Sequence, residues 1–295
     1  MLPHPFRYHR LQRLEQVFEL LDRYGDDAAL YAGGTELLIA LKARVLRYEH
    51  LIDLKSLAAF KGVRASNTEI VIGALSTHHG LANDAALREA LPSYAALSNG
   101  IANIRVRVAG TIGGNLCFAE PHADPPPLLA ALGATLKLQD AEHARFVPMA
   151  EFIEDEFTTA RAHHEVLTEI HVPRPPAGAH YAYRAFGHLE RPAVGVAAGY
   201  VPDGGMPRYR LWAGAIAGKP IHLKSVEEAL VGVPPSNIDD VLPKAAATAA
   251  QALPARDDLQ GSADYKQHLA TVLMRRALAD AAGLTSDVEA RRGRA

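Results

Sequence analysis

The stretch Tyr31-Ala-Gly-Gly-Thr-Glu-Leu37 overlaps a short apolar segment, Leu30-Tyr31-Ala32, and leads into a run of strong helix formers, Glu36 to Ala43. A strand that stops at two adjacent glycines and passes at once into a helix leaves a bend with no side chains at its apex. Glycine tolerates positive φ and lets a ligand approach the main chain without a Cβ in the way. Successive N–H groups in such a bend make a concave anion site, and a helix capped by Thr35 would add the positive end of its dipole. A second stretch of the same kind, Gly110-Thr-Ile-Gly-Gly-Asn-Leu116, is a glycine turn in apolar surroundings. Each hydrogen bond to a charged phosphate contributes roughly 1.5–3 kcal/mol. Two such bends converging on one pyrophosphate would hold a dinucleotide without a lysine. Either alone is commonplace as a tight turn, so the pair is the specific signal.

Outward from the first bend, residues 11–24 set Leu11, Leu14, Val17, Phe18 and Leu21 at helical spacing. Leu51 to Leu54 is a second short strand. From about residue 60 the texture changes to strands and hairpins: a strand from Glu69 to Ala74 ending in Gly73, a short helix started by Thr77, and a helix over 92–103 ending near Asn103. A helix Leu128 to Leu132 and strands Ala134 to Leu138, Arg145 to Val147 and Val166 to Val172 follow. Pro173, Pro175 and Pro176 mark a domain boundary. Beyond it come strands His180 to Gly187, Ala193 to Val201 and Tyr209 to Ala217, with Asp203-Gly-Gly205 as a hairpin turn. Helices near 225–231, 237–252 and 263–282 complete the chain, the last capped by Ser262 and presenting Tyr265, Leu269, Val272 and Leu273 on one face.

Composition narrows the classes. Apolar residues are 48%, charged residues 22% and the formal net charge −2, which gives no reason to expect nucleic acid or a membrane surface as partner. No apolar run of about 18 residues occurs, so no membrane span is expected. The one cysteine, Cys117, cannot hold an iron–sulfur cluster by itself and suits a reducing cytoplasm. No P-loop and no Gly-x-Gly-x-x-Gly after a strand is present, so neither a P-loop ATPase nor a Rossmann site is expected.

The segments Ala32-Gly-Gly-Thr-Glu36 and Thr111-Ile-Gly-Gly-Asn-Leu116, with Ala123-Asp124 following, resemble the FAD-binding medium subunit of the xanthine dehydrogenase/carbon monoxide dehydrogenase (molybdenum hydroxylase) family. The resemblance extends over nearly the whole chain, through Ile72-Gly-Ala74, Glu165 to Pro173, Ser262-Ala-Asp-Tyr265 and Met274-Arg-Arg-Ala-Leu278. It implies an α+β fold: a two-subdomain FAD-binding unit (PCMH-type, VAO-like) over 1–55 and 56–175, then a three-stranded antiparallel sheet with a helical bundle over 176–285 and a flexible tail, 286–295. It implies one non-covalent FAD. Its pyrophosphate would be held by Ala32, Gly33, Gly34, Thr35 and Glu36 and by Thr111, Gly113, Gly114 and Asn115, with Tyr31, Leu37, Ala109 and Gly110 flanking them. Asp124 matches a cofactor-contacting aspartate, Ile101 a position near the adenine, and Leu167 and Arg184 positions at the flavin, with Phe186 close to that end. The resemblance further implies a heterotrimeric complex. A molybdopterin-binding large subunit oxidises an organic substrate, the [2Fe–2S] clusters of a small subunit carry the electrons to this FAD, and a terminal acceptor takes them. No catalytic side chain is expected here. Thr35-Glu36 stands where carbon monoxide dehydrogenases tend to have His-Ser.

Other residues fit blander roles. The pairs His78-His79 and His163-His164 point their neighbours in different directions, so no metal site is expected. His122 reads as a loop residue beside the cofactor, Cys117 as a buried structural thiol, Trp212 as core or interface, and Glu36 as a carboxylate at a helix N-terminus that turns away from the phosphates or caps an amide. Two rival functions stand beside the main reading: a stand-alone PCMH-type flavin oxidase or reductase, and a non-catalytic assembly protein that has lost FAD.

Overall fold

The computed structural model describes residues 4–188 and 190–284, and the tail expected over 286–295 lies outside them. The chain divides into two compact units. The first comprises residues up to Glu120 together with Ala134–Arg174; the second takes Pro121–Gly133 and everything from Pro175 onward.

In the first unit, β1 (Arg7–Arg10), β2 (Ala28–Tyr31) and β3 (His50–Asp53) form a parallel sheet in the order β1-β3-β2. The strand β1 was not legible in the sequence. Helix α1 (Leu14–Tyr24) connects the first two strands and buries Val17 and Leu21 against Ile52 and Leu54. Its apolar positions sit at the predicted helical spacing, and it starts three residues later than predicted. Helix α2 (Leu37–Ala43) follows β2.

Next come β4 (Val63–Ala65) and β5 (Glu69–Gly73), and then a string of short helices: α3 (His78–Asn83), α4 (Ala85–Ala90), α5 (Pro92–Gly100), α6 (Ile104–Ala109) and α7 (Ile112–Phe118). The helix expected to run to Asn103 stops at Gly100. Asn103 instead caps α6, its side-chain oxygen accepting from the amides of Arg105 and Val106 at 2.9 and 3.2 Å. After the excursion through α8 (Pro125–Ala131), β6 (Thr135–Gln139), β7 (Ala144–Pro148) and β10 (Val166–Pro173) complete a five-stranded antiparallel sheet, β4-β5-β10-β6-β7. Between β7 and β10 lie α9 (Met149–Phe152) and the hairpin β8 (Ile153–Asp155) and β9 (Thr158–Thr159). Alternation does what a half-buried sheet requires: Leu136 and Leu138, Ile170 and Val172, and Ile70 and Ile72 are all fully buried.

The second unit is a four-stranded antiparallel sheet, β11 (His180–His188), β12 (Arg191–Val201), β13 (Arg208–Gly214) and β14 (Ile221–His222), one short strand more than expected. Val194, Val196 and Ala198 of β12 face Leu211 and Ala213 of β13 in a core completed by α10 (Lys224–Ala229), α11 (Ile238–Gln251) and α12 (Ala263–Ala281). Ser262 caps α12 as predicted, accepting from Tyr265 N. The buried face of α12 differs from the expectation: Lys266, Ala270, Leu273, Met274, Ala277, Leu278 and Ala281 point inward, and Tyr265 is exposed. Ala270, Ala277 and Ala281 share the inner face with Leu273, Met274 and Leu278; of the residues expected there Leu273 is buried, and Leu269 and Val272 are half-buried. Helix α8 lies against β12 and β13, where Gly214 leaves room for Pro127; a Cβ there would come within 2.9 Å of the proline ring. Among the described residues, no helix is long and apolar enough to cross a membrane.

Candidate functional site

The first bend leaves β2 at Tyr31, at the C-terminal end of the parallel sheet, and turns at Gly34, whose φ of 72° is one L-residues rarely adopt. Among the described residues, no group accepts a hydrogen bond from the main-chain N–H of Gly33, Gly34 or Thr35. Three successive unpartnered amides are the donor set an anion needs. Thr35 does not cap helix α2 as expected. Glu36 occupies the capping position without a side-chain capping bond, and the helix begins at Leu37, because the chain first closes a turn in which Leu38 N donates to Gly34 O at 3.1 Å.

The second segment is not a turn. Thr111 caps α7, and Gly113 and Gly114 lie in its first turn with ordinary helical backbone rather than positive φ. The amides at this helix start are already used: Ile112 N donates to Ser76 O at 3.0 Å, Gly113 N to Ala74 O at 2.8 Å and Gly114 N to Thr111 Oγ1 at 3.1 Å. These glycines are required by packing. A Cβ on Gly113 would lie 2.7 Å from Ala74 O, and one on Gly33 would lie 2.3 Å from Ala109 O and 2.8 Å from the Cα of Gly110. The two glycine segments therefore touch backbone to backbone. A Cβ on Gly110 would come 3.4 Å from Thr35 Oγ1, and one on Gly114 would come 3.9 Å from the Cβ of Ala32. The sequence treated the two segments as alike; the structure divides the labour between them unequally.

Two buried polar atoms beside this junction lack partners, Asn115 Oδ1 on α7 and His78 Nδ1 on α3. Buried polar atoms are nearly always paired, so these orphans, with the free amides of the bend, fit a polar ligand. Burial pushes the His78 imidazole down to about 4, which keeps it neutral at ordinary pH. Ile101 is buried at the end of α5, and its carbonyl accepts from Arg107 Nη1 at 2.9 Å. Leu167 is buried on β10 opposite Leu138, just before a bulge.

Sequence reading missed what stands behind the bend. Asp53, 1% exposed, ends β3 in register with Tyr31 of β2. It accepts from the Tyr8 hydroxyl, from Lys55 N at 2.9 Å and from Lys55 Nζ at 2.9 Å. Burial acts to raise its carboxyl, but the Tyr8 and Lys55 contacts outweigh it and hold the group below the usual carboxylate range. The signal was present in the sequence: a charged residue within the apolar run Leu51-Ile-Asp-Leu54.

In the second unit, Asp124 stands at the N-terminal cap of α8 and accepts from the Tyr183 hydroxyl at 2.9 Å. Burial, and then the Asp124 carboxylate, push the Tyr183 phenol up, so it stays a donor. Gly195 makes this possible, since a Cβ there would lie 2.0 Å from the Tyr183 hydroxyl. Arg184 pairs with Asp280, and Phe186, two residues on along β11, is 51% exposed. His122 contacts Asp258 at 3.1 Å, and Asp258 also pairs with Lys266, which is 1% exposed. Cys117 on α7 is only partly buried, less than expected of a core thiol. Trp212 is core, stacked on His222. Among the described residues, no three His, Cys, Asp or Glu side chains cluster as metal ligands would.

This chain is similar over residues 4–175 to the FAD binding domain in molybdopterin dehydrogenase, and over residues 188–281 to the CO dehydrogenase flavoprotein C-terminal domain. It is 34% identical to the carbon monoxide dehydrogenase medium chain of Afipia carboxidovorans, over 94% of this chain and 97% of that one. It is 28% identical to the xanthine dehydrogenase FAD-binding subunit of Escherichia coli O157:H7, over 93% and 95%. A crystal structure of the Cu,Mo-CO dehydrogenase in its cyanide-inactivated form contains a chain that superposes with a TM-score of 0.90 at 32% identity, covering 96% of this chain and 99% of that one.

Proposed function

The chain belongs to the family of FAD-binding medium subunits of molybdenum hydroxylases, and from that premise we propose that it is the flavin-holding, electron-transferring subunit of such an oxidoreductase complex. The observation that carries this reading is the backbone-to-backbone junction of the two glycine segments beneath three unpartnered amides. The amides of Gly33, Gly34 and Thr35 donate to the diphosphate of one non-covalent FAD. Ala32, Gly110, Thr111, Gly113, Gly114 and Asn115 form the wall beside it, bordered by Tyr31, Glu36, Leu37 and Ala109. On the family resemblance, Ile101 is assigned to the adenine, Asp124 to a cofactor contact, and Leu167, Arg184 and Phe186 to the flavin. Bound FAD supplies the redox chemistry, and the chain binds and orients it.

A small subunit with [2Fe–2S] clusters and a molybdopterin-binding large subunit complete the complex, as the medium-chain relatives imply. A cytoplasmic location agrees with the single cysteine. The division of the flavin-binding part at residues 55 and 56 agrees with the parallel and antiparallel sheets falling on either side of it.

The test is flavin content. The purified chain is expected to be yellow and to release intact FAD on denaturation. Gly34→Val combined with Gly114→Val is expected to yield a folded, colourless protein. A folded double variant with full flavin content would overturn the assignment, and full substrate turnover by this polypeptide alone would show it to be a complete enzyme.

A further inference from the structure

We infer that Lys55 is a positioning residue for the phosphate-binding bend, acting through the ring of Tyr31. The inference rests on the reading that Gly33–Thr35 hold the FAD diphosphate, and adds to it a residue outside both glycine segments.

The order β1-β3-β2 brings the C-terminal ends of three parallel strands together, with Asp53 between its neighbours. Lys55 is fixed there twice by the same buried carboxylate, through its amide and through its ammonium, each at 2.9 Å. That leaves Nζ 3.5 Å from the centroid of the Tyr31 ring and 5.9 Å from that of Tyr8, while the two rings meet edge to face at 6.1 Å. A cation at that distance over an aromatic face is attracted to it. The Tyr31 ring in turn lies hard against the apex of the bend: a Cβ on Gly34 would fall 2.2 Å from its Cε2 and 3.1 Å from both its Cζ and its hydroxyl oxygen. Contacts therefore run without a gap from Asp53 through Lys55 and Tyr31 to Gly34, whose left-handed backbone sits at the centre of the three free amides. Because Asp53 neutralises the ammonium, Lys55 acts by holding the ring and not as a phosphate ligand. The orientation of the amides then depends on a side chain some twenty residues away that touches no ligand.

The experiment uses the full-length chain stripped of flavin, titrated with FAD and, separately, with ADP, which carries the diphosphate without the flavin. Lys55→Met is expected to weaken both about tenfold, about 1.4 kcal/mol, and to leave the visible absorption bands of bound FAD unchanged. Lys55→Arg, which keeps a cation able to stack, is expected to restore affinity to within about twofold of the native chain. Asp53→Asn with Lys55→Met removes both charges, so no bare buried carboxylate is left, and is expected to show the same loss. In Tyr31→Leu, adding Lys55→Met is expected to cost nothing further. Native affinity in Lys55→Met, additive losses in the double variant, or failure of Lys55→Arg to rescue would each overturn the inference while leaving the FAD site intact. A native chain that binds neither FAD nor ADP would instead sink the functional reading beneath it.

Discussion

Replacing Gly33 by alanine is the sharpest probe of the junction between the two glycine segments. The added methyl carbon would lie 2.3 Å from Ala109 O, 2.8 Å from the Cα of Gly110 and 3.0 Å from the carbonyl carbon of Ala109. Comfortable heavy-atom contacts begin near 3.5 Å, and all three neighbours are main chain, so no rotamer change relieves the clash. The segments must part by about 1 Å. Overpacking of this kind costs roughly 1–3 kcal/mol. If the native spacing is the one that accepts the cofactor, the same energy appears as an FAD affinity lower by roughly five- to 150-fold.

Two measurements on the full-length chain check this: a fluorescence titration of the flavin-free protein with FAD, and a urea unfolding curve giving the midpoint. Gly114→Ala is the control. Its Cβ would meet only Thr111 Oγ1 at 3.0 Å and the Cβ of Ala32 at 3.9 Å, and alanine is the better helix residue. It is expected to leave the midpoint near native while weakening FAD, because it intrudes on the ligand side alone. A Gly33→Ala protein with native midpoint and native FAD affinity would refute the junction as the determinant of binding.

Acid sensitivity follows from His78. Its folded-state value, about 4, lies below the unfolded 6.5, so the neutral ring stabilises the fold fully above pH 6.5 and that contribution is lost as pH falls toward 4. The gap corresponds to ~3 kcal/mol, and His78→Leu is expected to flatten that limb of a stability–pH curve measured by urea midpoints. Ser262→Ala removes the cap of α12 and is expected to lower stability by about 1 kcal/mol with FAD affinity unchanged, read by the same two assays. Lys266→Ala is expected to cost about 2 kcal/mol, since it removes a buried side chain and one of the partners of Asp258, which stays partly exposed and keeps its contacts with His122 and Gln260 N; Lys266→Met with Asp258→Asn should recover part of that loss in thermal unfolding.

What the sequence disclosed, and what it withheld, divides along a physical line. Periodicity located α1, α11 and α12 and most strands of the five-stranded sheet, because their apolar positions answer to one nearby surface. It found only part of the inner face of α12, where alanines share the packing with Leu273, Met274 and Leu278, and it missed β1, whose residues Arg7-Tyr-His-Arg10 carry no apolar alternation. The glycine pairs were visible. Their reasons were not, because a glycine chosen for a left-handed φ, like Gly34, and one chosen because another backbone occupies the place of its side chain, like Gly33 and Gly113, read identically in sequence. The backing of the bend by Asp53 and Lys55 was hidden because a parallel sheet joins residues that are distant along the chain.

The detour of Pro121–Gly133 carries a consequence for how the protein is made. All seven residues of α8 are buried, and the strands they rest on, β12 and β13, are encoded far downstream. During synthesis this wholly apolar helix leaves the ribosome long before its seat exists. A fragment ended at the inviting proline cluster near residue 175 would keep the helix and lose the seat, and should expose an apolar surface that the intact chain covers.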